Sequence, residues 1–166
     1  MGEAIHLSHS ERITLIQTAR KALDSIGLTE VPIIAGTGAG STRETIELSE
    51  AAARAGADYA IVIASGYFAG ALSGNNPALK AFWKEVAEKS PIPVMIYSCE
   101  CILILEPRDK NFALSVCSHA DTSHDLPVPG ASGGIDPDSD LITDLARECP
   151  NICGVKLTYV VVPYPT

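Results

Sequence analysis

The chain of 166 residues carries 12 basic and 20 acidic side chains, a formal net charge of −8, and is 46% hydrophobic. This length and apolar content suit a single globular domain with its own core. The acidic balance argues against nucleic acid or an anionic membrane as the main partner, because phosphate groups would be repelled. The apolar runs also fall short of the roughly 18 residues that span a bilayer.

Short apolar runs alternate with amphipathic segments along the chain. Apolar residues recur at helical spacing over residues 8–26, where Ser8 and Glu11 form a capping-box pattern and Gly27 marks the end of the helix. Helices are predicted at 8–26, 42–55, 77–89 and 137–147, and buried strands at 31–35, 59–64, 94–97 and 152–157. This alternation predicts an α/β fold of βαβ units around a parallel sheet.

One stretch breaks the alternation. After Tyr97 a short loop into the next helix is expected, yet residues 99–127 have mixed composition and no clear helix caps. Long irregular connections inside a compact domain are uncommon. The segment is therefore interpreted as a lid or as sequence that does not belong to the fold.

The five cysteines form an odd set, and Met1 is followed by the polar pair Gly2-Glu3 in place of the basic and apolar run of a secretory leader. A reducing compartment, the cytoplasm, is therefore expected. The pair Cys99-x-Cys101 lacks the second ligand pair of a zinc site, so no zinc is expected there.

Gly36, Gly38 and Gly40 lie between a predicted strand and a predicted helix, where backbone amides can bind an anion. The third glycine of a dinucleotide fingerprint would stand at Ser41, and the Lys-Ser or Lys-Thr pair of a phosphate loop is absent. An ordinary strand-to-helix turn is therefore favoured, with a small nucleotide-binding module as the alternative.

His6 and His9 have the spacing of two imidazoles on one helical face, as a metal site requires. No acidic residue stands at a matching metalloprotease position, and both histidines flank the predicted cap Ser8. A solvated or helix-capping role is favoured over a metal site.

Lys156 lies within the apolar run 152–157, where a buried ammonium would suffer a large desolvation penalty. Burial lowers the pKa of a lysine and makes its free amine available as a nucleophile toward a carbonyl. Tyr97 ends the strand 94–97, so its hydroxyl is expected at the same sheet edge, where it can transfer protons. The alternatives are a lysine whose amine reaches water or pairs with an acid, and a tyrosine that caps a core strand.

Five segments follow one another in a recognisable order. They are Gly2-Glu3 with Leu7-Ser8-x-x-Glu11-Arg12; Ala35-Gly36-Thr37-Gly38 with Ser41-Thr42-x-Glu44-Thr45-Ile46; Gly56-Ala57-Asp58; Pro91-Ile92-Pro93-Val94-Met95-Ile96-Tyr97; and Asn151-Ile152-x-Gly154-Val155-Lys156-Leu157-Thr158. Together they resemble the dihydrodipicolinate synthase and N-acetylneuraminate lyase family of class I aldolases, over residues 2–97 and 128–158.

The resemblance implies a (β/α)8 barrel that binds pyruvate or a related 2-oxo acid through a Schiff base on Lys156, with Tyr97 as the proton relay. It further implies that Tyr67 is lent to a neighbouring subunit's site in a homo-oligomer, and that Gly2 and Glu3 belong to the substrate-binding turn. Enzymes of this family need no metal or dissociable cofactor.

This chain departs from a complete barrel of eight strands. Four strands are predicted, which match the central part of the barrel, so the first two and the last two strands are lacking. Residues 1–166 are interpreted as one partial barrel domain, with 99–127 as a non-family insertion and 159–166 as a non-family tail. Both segments are hypothesised to be translated intron, which sequencing of the mature transcript would test.

Ala131 stands where the synthase subfamily has an arginine that holds its dicarboxylate-forming aldehyde substrate. The resemblance therefore favours a pyruvate-releasing lyase that cleaves a 4-hydroxy-2-oxo acid or a 2-keto-3-deoxy sugar acid. The alternatives are a condensing enzyme similar to dihydrodipicolinate synthase, or an inactive barrel fragment that associates through open sheet edges.

Overall fold

The computed structural model describes residues 4–98, 113–117, 135 and 137–158. The helices are α1 (His9–Ser25), α2 (Thr42–Ala55), α3 (Ala69–Leu72), α4 (Asn76–Lys89) and α5 (Ser139–Glu148), with short 3-10 turns at Ala4–His6 and Gly66–Phe68. The strands are β1 (Ile34–Gly36), β2 (Tyr59–Ile63), β3 (Val94–Ser98), β4 (Ala113–Cys117) and β5 (Ile152–Thr158). The described part of the chain contains no helix that is both long and apolar enough to cross a membrane.

The strands form one parallel sheet with the order β1-β2-β3-β5-β4. Strands alternate with helices from β1 to β3, and α5 precedes β5, so the predicted α/β class is confirmed. Because every pairing is parallel, the carboxyl ends of the strands meet at the same edge of the sheet. This edge is where ligands bind in α/β folds.

The predicted count of four strands is wrong for the described residues, which contain five. The additional strand is β4, and it lies within the segment 99–127 that was predicted to be an insertion. Its register against β5 runs from Ala113 opposite Gly154 to Cys117 opposite Thr158. The mixed composition of residues 99–127 did not indicate this strand, and its partner β5 lies far along the chain.

The helix termini follow the local sequence closely. Ser8 Oγ accepts a hydrogen bond from the Glu11 amide at 3.3 Å, and the Ser8 amide donates to Glu11 Oε2 at 2.8 Å. This pair is the predicted capping box. At the end of α2, Gly56 has a φ of +100°, a backbone conformation that glycine adopts without a steric penalty.

The core lies between the sheet and the helices. Its largest fully buried side chains include Trp83, Leu79, Ile96, Ile142 and Leu145. In the described chain the helices cover one face of the sheet: Ala60 and Val62 of β2 are fully buried, whereas Ile61 and Ile63 are half-buried. The prediction of buried strands is therefore confirmed for β3, where Val94, Met95 and Ile96 are all buried, whereas β2 is fully buried only on its helix-covered face.

Candidate active site

The structure brings Lys156 and Tyr97 together. They are register partners on the adjacent strands β5 and β3, near the carboxyl edge of the sheet. The Nζ atom of Lys156 lies 4.2 Å from the centroid of the Tyr97 ring. An ammonium at this distance from an aromatic face is attracted by the ring quadrupole. The amine and the phenol ring therefore form one local unit, as the sequence predicted.

The pair lies on the face of the sheet that the helices leave open. One row of register partners, Val62, Ile96 and Val155, is fully buried beneath the helices. The next row toward the carboxyl edge contains Tyr97 and Lys156, which are both half-buried. Lys156 is therefore less buried than the apolar run around it indicated. A half-buried amine on this face is accessible to a small-molecule substrate.

A β-bulge sets the face on which Lys156 lies. Val94 pairs with Ile152 and Met95 pairs with Gly154, so the register passes over Cys153. Successive strand residues point to opposite faces, and one extra residue therefore reverses the face of everything that follows. Without the bulge, Lys156 would be opposite Ser98 on the helix-covered face. The bulge is not apparent from the sequence pattern, although Gly154, two residues before the lysine, is a residue type that often marks a bulge.

Asn151 anchors the start of β5. Its Nδ2 donates to the carbonyl oxygens of Ala87 at 2.8 Å and Ser90 at 3.0 Å, at the C-terminal end of α4. Its own carbonyl accepts from the Val94 amide at 2.8 Å. The side chain therefore holds the start of β5 against the end of α4, and the backbone carbonyl joins it to β3. In the sequence, Asn151 is recognisable only as the first residue of the motif that ends at Thr158.

The glycine turn after β1 packs directly on β2. A Cβ atom on Gly38 would lie 2.7 Å from Ile63 Cγ2 and 2.9 Å from the Ile63 amide nitrogen, so only glycine fits. The Ala39 amide donates to Thr45 Oγ1 at 3.2 Å, and the Gly40 carbonyl accepts from Ser65 Oγ at 3.1 Å. These polar groups are satisfied within the fold, which supports the predicted strand-to-helix turn over a nucleotide site.

Tyr67 lies apart from the lysine pair in the described contacts. It belongs to the 3-10 turn that follows β2, and 88% of its surface is exposed. Its ring packs edge to face against Phe68, with centroids 5.0 Å apart. An aromatic side chain presented in this way is available to another molecule, and its predicted role in a neighbouring subunit's site stays a prediction.

The remaining candidate residues are Gly2, Glu3, His6, His9 and Ala131. Gly2, Glu3 and Ala131 lie outside the described residues. His6 is exposed, and His9 Nε2 lies 3.1 Å from Glu44 Oε1. Among the residues that the structure describes, no group of three potential ligands is placed to hold a metal ion.

The two cysteines near β5 are free thiols, Cys149 and Cys153. Burial raises the pKa of both thiols. They therefore stay protonated at neutral pH, and a protonated thiol is a poor nucleophile and a poor metal ligand. Both thiols lie toward the amino end of β5, away from the edge that carries Lys156.

A shallow surface cavity of about 520 Å³ lies away from Lys156 and Tyr97. It is lined by Glu50, Ala53, Arg54, Lys89 and Pro91. Arg54 and Lys89 occupy the last turns of α2 and α4, and Pro91 precedes β3. The cavity therefore lies at the amino ends of the strands, opposite the edge that carries Lys156 and Tyr97.

Two curated relatives match almost the whole chain. One is a protein of Emericella nidulans named "Probable 4-hydroxy-2-oxoglutarate aldolase, mitochondrial", which is 42% identical over 157 residues, 95% of this chain and 40% of the relative. The other is the L-threo-3-deoxy-hexylosonate aldolase of Aspergillus niger, which is 38% identical over 95% of this chain and 38% of the relative. The chain thus spans about two fifths of the length of these curated relatives.

A solved structure supports the same relationship. The dihydrodipicolinate synthase of Acinetobacter baumannii, complexed with pyruvate, superposes with a TM-score of 0.66 and 31% identity, covering 94% of this chain and 40% of that chain. The family model of the dihydrodipicolinate synthetase family matches residues 1–103. On its fold, its relatives and this match, the chain belongs to the dihydrodipicolinate synthetase family.

Proposed function

We propose that this chain carries the nucleophile and the proton relay of a Schiff-base-forming 2-oxo-acid aldolase. The observation that carries the proposal is the position of Lys156 Nζ, 4.2 Å from the centre of the Tyr97 ring at the carboxyl edge of the sheet. Membership of the dihydrodipicolinate synthetase family supports it, because its named relatives include aldolases.

The proposed reaction starts with attack of the neutral Lys156 amine on the ketone carbon of a 2-oxo acid. Loss of water gives an imine, which accepts the electron pair of the breaking carbon–carbon bond and becomes an enamine. As the aldehyde leaves, the phenol oxygen of Tyr97 accepts the proton of the substrate's 4-hydroxyl group and gives up its own proton, which is passed on to the enamine carbon. Protonation of the enamine and hydrolysis of the imine then release pyruvate and restore the lysine.

For the substrate, we favour a 4-hydroxy-2-oxo acid or a 2-keto-3-deoxy sugar acid. Ala131 supports this choice, because it cannot provide the guanidinium expected of a dihydrodipicolinate-type condensing enzyme. The names of the two curated relatives, aldolases of 4-hydroxy-2-oxoglutarate and of a 3-deoxy-hexylosonate, agree with it. Gly2 and Glu3 are proposed to contact the substrate, and Tyr67 to act across subunits of a homo-oligomer.

The compartment is a separate prediction. The cysteine content favours the cytoplasm, whereas one relative is named as mitochondrial. Both compartments are compatible with the free thiols of Cys149 and Cys153. Fractionation of cells that produce the protein, with compartment markers, would decide between them.

Borohydride trapping tests the proposed nucleophile. The folded chain is incubated with pyruvate and sodium borohydride, and the modified lysine is located by peptide mass spectrometry. We expect a reduced pyruvate adduct on Lys156, its loss in Lys156→Arg, and its retention in Lys84→Arg, which changes an exposed lysine of α4. A folded wild-type chain without an adduct on Lys156 would contradict the proposal and favour the inactive-fragment alternative.

A further inference from the structure

One row of the open sheet face contains side chains from three neighbouring strands. Ile63 of β2 is the register partner of Tyr97, and Tyr97 is the register partner of Lys156. All three residues are half-buried, and paired strands lie about 4.8 Å apart. Tyr97 therefore has a branched apolar residue on its β2 side and the proposed nucleophile on its β5 side.

The glycine turn restrains the side chain of Ile63. The Thr37 amide donates to the Ile61 carbonyl at 3.1 Å, so the chain continues along β2 beyond the end of β1. Gly38 then lies so close that a Cβ atom on it would be 2.7 Å from Ile63 Cγ2. A β-branched side chain also has few accessible χ1 rotamers. Ile63 is therefore a fixed apolar neighbour of Tyr97.

The ring of Tyr97 has two neighbouring strands toward which it can incline. In strands, χ1 values of about −60° and about 180° are both common. In the observed arrangement the ring lies beside Lys156, with 4.2 Å between Nζ and the ring centroid. In the other arrangement the ring would lie over position 63, and its hydroxyl would move away from the amine. The bulk of Ile63 occupies the space that this second arrangement requires.

We propose that Ile63 is a positioning residue for the proton relay, because it keeps the ring of Tyr97 beside Lys156. The inference rests on the proposed function, in which the phenol transfers protons at a substrate bound to Lys156. Ile63 contacts no reacting atom in that scheme, so its whole effect on catalysis passes through Tyr97.

The position of the ring can be measured without catalysis. An aromatic ring beneath the Lys156 amine shifts the neighbouring ε-methylene protons upfield, and proton–carbon correlation spectra detect this shift. Lys156→Arg assigns the signal, and Tyr97→Leu gives its unshifted position. We expect Ile63→Ala to move the signal toward that unshifted position, and Ile63→Val, which keeps the branch at Cβ, to leave it near the wild-type position.

Ile61→Ala is the matched control. Ile61 is half-buried on the same face of β2, but its register partner is Met95, one row further from the carboxyl edge. This variant should leave the Lys156 signal unchanged. Emission from Trp83, the only tryptophan, reports whether each variant stays folded.

Turnover separates a positioning effect from a general structural effect. Ile63→Ala should lower pyruvate release about 10- to 100-fold, because a small misplacement of a catalytic group has a cost of this size, and the borohydride-trapped adduct on Lys156 should remain. In Tyr97→Phe no hydroxyl is left to position, so the same substitution should have little further effect on turnover.

Two results would overturn the inference. One is a folded Ile63→Ala chain whose Lys156 signal stays at the wild-type position. The other is an equal loss of turnover from Ile63→Ala in the wild-type and Tyr97→Phe backgrounds. A wild-type chain that forms no pyruvate adduct would instead contradict the proposed function, and the lysine signal would still decide whether Ile63 places the ring.

Discussion

At the scale of single residues, the pairing of Lys156 with Tyr97 depends on two features that precede the lysine. Asn151 holds the start of β5 against α4 and β3, and the bulge at Cys153 turns Lys156 to the face of Tyr97. The phenol contributes a ring beneath the amine and a hydroxyl for proton transfer. Substitution can separate these two contributions, because phenylalanine keeps the ring.

The first prediction concerns Tyr97→Phe. The ring beneath Lys156 is retained, so the pyruvate adduct on Lys156 should still form, whereas turnover of a 4-hydroxy-2-oxo acid should fall by about 10²- to 10⁴-fold. Pyruvate release in a coupled assay measures turnover, and borohydride trapping measures the adduct. Turnover equal to that of the wild type would contradict a proton-relay role for Tyr97.

At the scale of elements, two local devices hold the strands and helices around the site. The glycine turn lets α2 follow β1 closely, with Gly38 in contact with Ile63 of β2. Asp138 caps α5, where its Oδ1 accepts from the Leu141 amide at 2.8 Å and its other oxygen accepts from Asn76 of α4. Both features fix the position of neighbouring elements relative to one another. Each can be tested by comparing two substitutions.

The second prediction compares Gly38→Ala with Gly40→Ala. A methyl group at position 38 would meet the backbone of Ile63, which cannot move without disturbing β2, whereas a methyl group at position 40 meets no atom within 4 Å. We expect Gly38→Ala to lower the free energy of unfolding by about 1–3 kcal/mol, the usual cost of overpacking. Urea unfolding followed by circular dichroism measures it, and equal effects of the two substitutions would contradict the contact.

The third prediction concerns acid stability. The amide of Leu141 and then the side chain of Asn76 hold the pKa of Asp138 below its ordinary value. The carboxylate therefore stabilises the fold above the unfolded-state pKa, about 3.9, and this contribution is lost as the pH falls through the lower folded-state pKa.

The comparison of Asp138→Asn and Asp138→Ala tests this assignment. Asparagine keeps an accepting oxygen but does not titrate, so urea midpoints measured at decreasing pH should fall less steeply than in the wild type. Alanine should cost about 1 kcal/mol at neutral pH, because the cap is lost. An acid dependence of Asp138→Asn identical to that of the wild type would exclude Asp138 as a contributor.

At the scale of the whole molecule, burial is uneven. Helix α4 has Leu79, Trp83 and Val86 fully buried, whereas none of the side chains of α1 is buried. Regions with few buried apolar contacts open at lower free energy than the core. The sheet with α2, α4 and α5 is therefore expected to form the stable unit of the described fold.

The fourth prediction follows from this difference. In native-state hydrogen exchange, the central amides of α1 should exchange at lower denaturant concentration than those of α4, in a separate opening step. Fragment-resolved mass spectrometry over a urea series measures both helices in the same sample. Exchange of α1 and α4 in a single step would show that α1 belongs to the same cooperative unit as the core.

Much of the fold follows from local sequence. The capping box at Ser8, the left-handed Gly56 and the alternation of apolar runs with helices act within a few residues, so pattern and propensity suffice to predict them. Lys156 and Tyr97 were recognised because each is a polar residue in an apolar strand. Parallel pairing then brings the carboxyl ends of such strands to one edge.

The rest required the tertiary structure, because it depends on contacts between distant segments. The bulge at Cys153 is defined only against β3, and it determines the face of Lys156. The pairing of β4 depends on an edge of β5 that the segment 99–127 does not itself contain. Sequence by itself determined four of the five described strands, the four longer helices and the two residues that carry the proposed chemistry, whereas the tertiary structure decided which face those two residues share and which strand pairs with β5 on its other side.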